Sequence, residues 1–124
     1  MPPTSSNMKL RLQDNSLRLR LNRAEVMHLC QAGTVEGSVD FGLGAVLIYR
    51  IQSRGVTDPL HAVFCKDSIT VRIPAEPVSV WAAADEVGIY AQQGALKIAV
   101  EKDFRYLTRR PDEQEPDAFP HPAE

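Results

Sequence analysis

Apolar and polar positions alternate with a period of two through Met8-Lys9-Leu10-Arg11-Leu12 and again through Leu17-Arg18-Leu19-Arg20-Leu21, with the polar run Gln13-Asp14-Asn15-Ser16 between them. Alternation puts every second side chain on one face, so the pattern predicts two half-buried strands joined as a hairpin. Asn22 follows, with Glu25 three residues on. Together they predict a helix start, in which the Asn22 side chain accepts from the backbone N–H of Glu25 as in a capping box. Val26, Leu29 and Cys30 supply that helix with an apolar stripe, and Gly33 suits its C-terminal end. Residues 34–41 and 45–51 then read as two further strands, joined through Gly42-Leu43-Gly44.

The same order recurs about fifty residues later. Asp67-Ser68-Ile69-Thr70-Val71-Arg72-Ile73 echoes Asn15-Ser16-Leu17-Arg18-Leu19-Arg20-Leu21, Val78 and Trp81 echo Val26 and Leu29, Val87 echoes Val35, and Gly94-Ala95-Leu96-Lys97-Ile98 echoes Gly44-Ala45-Val46-Leu47-Ile48. The spacing is fifty-two residues through the first helix and fifty at the last strand, which predicts a shorter final hairpin in the second copy. The second copy reads as strands over 61–66 and 68–73, a helix over about 75–84 with Pro77 in its first turn, and strands over 87–92 and 95–101. The chain is therefore expected to be an α+β domain with a duplicated strand–strand–helix–strand–strand unit. About eight mainly antiparallel strands and two helices would close with pseudo-twofold symmetry, as a barrel or as two facing sheets. Residues 1–7 read as a flexible N-terminal extension and 8–107 as one domain, with repeats at about 8–51 and 60–107. Residues 108–124 form an acidic, Pro-rich C-terminal tail.

Composition sharpens this picture in one respect. A net charge of −2 excludes a polyanion binder acting by bulk electrostatics, yet the tail sets Arg109 and Arg110 against Asp112, Glu113, Glu115, Asp117 and Glu124, leaving the rest slightly positive. No apolar run approaches the roughly 18 residues of a membrane-spanning helix, and no signal-peptide pattern opens the sequence, so the expected location is cytoplasmic. Cys30 and Cys65 lack C-x-x-C spacing and are expected to be buried as small apolar side chains.

Positive charge concentrates on the first hairpin. With Asp14-Asn15 as a two-residue turn, Lys9 faces Arg20 and Arg11 faces Arg18, so two like-charged pairs stand directly opposed, an arrangement that calls for compensation. Carboxylates from neighbouring strands (Glu36, Asp40, Glu101 or Asp103), a bound phosphate or carboxylate, or the acidic tail could each supply it. The second copy keeps part of the arrangement, with His61 opposite Arg72 but Val63 opposite Thr70. Lys9, Arg11, Arg18, Arg20, His61 and Arg72 are therefore the candidate anion-binding residues. The basic hairpin carries no aromatic side chain for base stacking, which argues against nucleic acid.

No catalytic or cofactor fingerprint is present. Gly42-Leu43-Gly44 joins two strands and offers no helix N-terminus to a phosphate. His28, His61 and His121 lie on different elements without metal-ligand spacing, and His28 and Cys30 point to different faces of their helix. At the C-terminus, Asp117, Phe119, Pro120 and Pro122 form a stiff peptide with one aromatic anchor, suited to docking on this domain, on a second copy or on another protein.

Met8-Lys9-Leu10-Arg11-Leu12, Asn15-Ser16-Leu17-Arg18-Leu19-Arg20-Leu21, Asp85-Glu86-Val87-Gly88-Ile89-Tyr90, Glu101-Lys102-Asp103-Phe104 and Asp117-x-Phe119-Pro120-x-Pro122 together resemble an uncharacterised family of small bacterial proteins, over most of the chain from Met8 onward. The resemblance implies a cysteine soon after the Glu-Lys-Asp-Phe stretch, where this chain has Arg105-Tyr106-Leu107. It implies no activity and no catalytic residue. The expected function is that of a non-catalytic cytoplasmic binding or accessory protein without a cofactor. It would act through the basic strand face and the C-terminal peptide, on an anionic small molecule or a protein, with homo-oligomerisation open. The alternative is a small enzyme or binding protein for a phosphorylated or carboxylated metabolite.

Overall fold

The computed structural model describes residues 8–103. Eight strands and two helices follow in the order β1 (Lys9–Gln13), β2 (Ser16–Leu21), α1 (Arg23–Ala32), β3 (Thr34–Asp40), β4 (Val46–Gln52), β5 (His61–Cys65), β6 (Ser68–Arg72), α2 (Ala75–Ala83), β7 (Gly88–Gln93) and β8 (Leu96–Lys102). This is the expected strand–strand–helix–strand–strand unit, twice.

Each unit divides its two hairpins between two sheets. One sheet has the order β1-β2-β8-β7 and the other β3-β4-β6-β5. Within each sheet the outer pairs are antiparallel and the central pair is parallel, β2 with β8 and β4 with β6. Exchanging the two copies maps one sheet onto the other. Parallel neighbours cannot be joined by a tight hairpin turn, so the central pairs are not consecutive in the chain: β4 and β6 are separated by β5, and β2 and β8 by most of the domain.

Local chemistry explains the elements. Asp14 and Asn15 both take positive φ, 48° and 60°, as a tight two-residue hairpin turn requires, and the ladder runs Leu12 to Leu17, Arg11 to Arg18, Leu10 to Leu19 and Lys9 to Arg20. The Asn22 side chain accepts from Glu25 N at 2.9 Å while Glu25 Oε1 accepts from Asn22 N at 2.8 Å, a complete capping box. Gly33 ends α1 in the left-handed region at φ 83°. α2 starts after Pro74, and Pro77 falls in its first turn.

The inner faces of both sheets share one core. Leu17, Leu19 and Leu21 of β2, Ile98 and Val100 of β8, Tyr49 and Ile51 of β4, and Val71 of β6 meet Val26 and Leu29 of α1 and Val78 and Trp81 of α2. The sheet edges are also tied: the Gln93 side chain of β7 donates to Ala62 O at 3.0 Å and accepts from Ala62 N at 2.7 Å on β5. A side-chain amide thus stands in for a ladder rung between two edge strands.

Three sequence expectations need correction. The echo set Ile98 against Ile48, but the pairings put Tyr49 and Ile51 in the places of Ile98 and Val100. Likewise Val35, opposite Ile51, corresponds to Ile89, opposite Val100, whereas Val87 is exposed. The connection after α2 is longer than that after α1, and the turn at Gly94-Ala95 is shorter than the connection over 41–45. A one-residue slip in a strand reverses its faces, so this matters for reading the surface. The third correction concerns the cysteines, since both Cys30 and Cys65 are exposed. α1 beds down on Glu25, Val26 and Leu29, and Cys30, one position further round, faces outward.

Tyr49 makes a pH-dependent contribution. Its ring lies across Gly37, where a Cβ would come within 2.6 Å, and its hydroxyl donates to Met8 O at 2.8 Å. Burial first, and the Glu25 carboxylate second, raise its phenol above the usual 10.0. A raised folded pKa means that the native state holds the proton more tightly. The contribution is complete below the unfolded value near 10 and falls as pH rises through the folded value. Tyr49→Phe is expected to cost about 1 kcal/mol at neutral pH through the lost hydrogen bond, and to flatten the decline in urea midpoint as pH rises above about 10. Parallel declines for the two proteins would refute this.

Candidate anion-binding face

Because Leu17, Leu19 and Leu21 point inward, Ser16, Arg18 and Arg20 stand on the outer face of the β1-β2-β8-β7 sheet. Register then lays out three rows across four strands. One runs Lys9, Arg20, Glu101, Gly88; the next Arg11, Arg18, Ala99, Tyr90; the third Gln13, Ser16, Lys97, Gln92. Lys9, Arg11, Arg18 and Arg20 are thus brought onto one surface. His61 and Arg72 are opposed as expected but lie on the other sheet. His61 Nδ1 is 2.8 Å from Pro59 O, and Arg72 donates to Gln52 Oε1 at 3.4 Å.

Carboxylates relieve part of the like-charge opposition. Glu101 Oε1 accepts from Arg20 Nε at 3.2 Å and lies 3.5 Å from Arg18 Nε, and Lys9 Nζ reaches Asp103 Oδ2 at 2.9 Å. Two of the four carboxylates named from sequence therefore serve this face. Glu36 instead pairs with Arg50 at 3.3 Å, and Asp40 accepts from Gly42 N. Gly88, opposite Glu101, leaves room for the carboxylate to cross the sheet: a Cβ there would lie 2.8 Å from Glu101 Cγ and from the Tyr90 hydroxyl. Glu101 Oε2 accepts that hydroxyl at 2.9 Å. Burial, then the hydrogen bond and charge of Glu101, raise the Tyr90 phenol, while Arg18 and Arg20 oppose the shift.

Next to this network the sheet is hollowed. Ala99 forms a low floor between Arg18, Tyr90, Gln92 and Lys97, with Ser16 at the edge, and the depression measures about 510 Å³. Lys97, Tyr90 and Gln92 were not singled out from sequence. The signal lay in the β2–β8 pairing, which joins residues about eighty positions apart and which hairpin patterns cannot supply. The same pairing places an exposed aromatic, Tyr90, in a row with Arg11 and Arg18, although its hydroxyl is held by Glu101.

The duplication provides an internal comparison. On the sister face Thr70 stands where Arg18 does, Val63 where Arg11 does, and Ile48 where Lys97 does. One scaffold carries a cationic outer face and a mixed one, so the fold itself does not require the cations.

Family comparison agrees with the sequence resemblance. The pattern of a family of unknown function, DUF7009, matches residues 8–123. The chain belongs to DUF7009. The match covers the whole described domain and continues twenty residues beyond it. No curated protein matches the chain. Among the described residues no helix is long and apolar enough to cross a membrane, and no three of His, Cys, Asp and Glu gather where they could hold a metal ion. Asp117, Phe119, Pro120 and Pro122 lie outside the described residues, as do residues 1–7 and 104–107.

Proposed function

We propose that this DUF7009 protein is a non-catalytic binding protein that captures a phosphate- or carboxylate-bearing partner on the outer face of the β1-β2-β8-β7 sheet, centred on Arg18 and Lys97. The observation that supports it is the contrast between sister faces: cations occupy positions that the same scaffold fills elsewhere with Thr70 and Ile48. Arg18 offers a planar fork and Lys97 a mobile point charge, a pairing suited to either anion. In this reading the Phe119-Pro120-x-Pro122 peptide makes a second contact with the partner, and the protein works in the cytoplasm, where two free thiols are at home.

A small phosphorylated or carboxylated metabolite is the second reading, favoured by the depression over Ala99, whose volume falls in the range of small-molecule sites. Titration with pyrophosphate and with an acidic hexapeptide, at about 0.15 M salt, separates the two. Glu101 competes for Arg18, so Glu101→Gln is expected to tighten whichever probe binds by roughly three- to tenfold, equivalent to about 1 kcal/mol. Arg72→Ala, on the sister face, should leave binding unchanged. Absence of saturable binding by either probe would refute the proposal, as would equal losses from both faces.

A further inference from the structure

Tyr90 is 58% exposed, yet its ring is held in place, because the hydroxyl donates to Glu101 Oε2 at 2.9 Å. The side chain stands as a wall between two hollows. On one side lies the depression floored by Ala99, and on the other a hollow lined by Pro77, Val80, Glu86 and Gly88. A ring pinned at its tip and open along its flanks is a stacking surface ordered before any ligand arrives. Arg18 stands across Ala99 from it, two strand spacings or roughly 9–10 Å away. Lys97 is the next outward residue on β8.

The sister face shows that the fold does not impose this hollow. Its corresponding row runs Val63, Thr70, Arg50, Glu36. Arg50 takes the place of Ala99 and spans the row, donating to Thr70 Oγ1 at 3.0 Å and to Glu36 Oε1 at 3.3 Å. That surface is closed over by its own long side chain. On the β1-β2-β8-β7 sheet alanine opens the floor instead, a cation stands in the place of Thr70, and an aromatic ring in the place of Glu36. Positive charge therefore marks one end of the depression and a π face the other. An anion alone would use the cations and leave the ring without a role.

We propose that the depression takes a small phosphate ester carrying a planar aromatic ring, of the nucleoside monophosphate kind, with the phosphate between Arg18 and Lys97 and the ring stacked on Tyr90. This rests on the anion-binding reading and deepens it by naming the other half of the ligand. Glu101, which accepts from Arg20 and lies 3.5 Å from Arg18 Nε, repels a phosphate from that end and leaves it the Lys97 side. About 510 Å³ accommodates one molecule of this size. A single ring serves a single base; a polynucleotide would need several aromatics along a groove and a more positive chain.

Calorimetric titration with adenosine monophosphate, ribose phosphate and pyrophosphate separates the ring from the anion site. Adenosine monophosphate should bind roughly tenfold more tightly than ribose phosphate, the gain expected from stacking one base. Tyr90→Leu should erase that advantage. The two esters carry the same phosphate and sugar, so any change in Glu101 caused by the lost hydroxyl acts on both and cancels from their ratio. Equal affinities in the parent would overturn the proposal, as would an advantage that survives in Tyr90→Leu. Pyrophosphate bound without a preference for the base would sink the stacking site and leave the anion site standing. Failure of all three ligands to bind would sink both.

Discussion

Replacing Trp81 with alanine is expected to remove about 3–5 kcal/mol, the cost of emptying a large aromatic site in a packed core. Small domains hold only about 5–15 kcal/mol in total, so the variant should unfold at much lower urea concentration or lose its cooperative transition altogether. Trp81 is fully buried and lies in the core that both sheets share. Its indole N–H donates to Val87 O at 3.1 Å, fixing the connection between α2 and β7, and Lys102 Nζ sits 5.8 Å from the ring centroid while donating to Ala84 O at the end of the helix. One side chain therefore couples core, helix end and last strand. Its counterpart in the first copy is Leu29, whose removal should cost about 2–5 kcal/mol without disturbing a polar contact. Far-UV circular dichroism during urea unfolding checks both, and a Trp81→Ala midpoint close to the unmodified one would show that the cavity collapses or that the ring is not the hub described.

The sequence was legible wherever interactions are local. The Asp14-Asn15 turn, the Lys9–Arg20 register and the Asn22–Glu25 capping box involve residues a few positions apart, so spacing determines them. Relations between the copies were less legible, because they depend on the lengths of connections. Val46 and Ile48 resemble Leu96 and Ile98 in hydrophobicity, and only the cross-copy pairing reveals that Tyr49, not Ile48, occupies the place of Ile98. That slip hid the site. With Lys97 read as the echo of an apolar Leu47, its outward position beside Arg18 was invisible, although Lys97 and Leu47 lie on opposite faces of their sheets. Cys30 was misread for a related reason: a helix stripe drawn from three apolar positions says nothing about which edge of it the neighbouring strands leave uncovered.

The largest effect on binding should come from Arg18→Ala combined with Lys97→Ala. Each substitution removes one charge-assisted contact to the anion, worth about 1.5–3 kcal/mol when its partner is charged. The pair should weaken pyrophosphate or acidic-peptide binding by about a hundredfold or more. Stability should respond in the opposite sense to a core mutation. Arg18 faces Arg11 directly across the hairpin, so deleting it relieves a repulsion, while its ion pair to Glu101, 3.5 Å long with the Arg18 side chain 39% exposed, contributes little. Lys97 is exposed. Unfolding free energies from urea titration should therefore stay within about 0.5 kcal/mol of the parent. A functional surface differs from a structural one in this dissociation, since residues that hold a fold cannot be removed without lowering its stability. If the double variant bound as well as the parent, the cations of this face would have no role in recognition. Binding and stability lost together would instead make the row Arg11-Arg18-Ala99-Tyr90 a structural element, and the sister face, which manages with Thr70 and Arg50 at the positions of Arg18 and Ala99, would then be the puzzle.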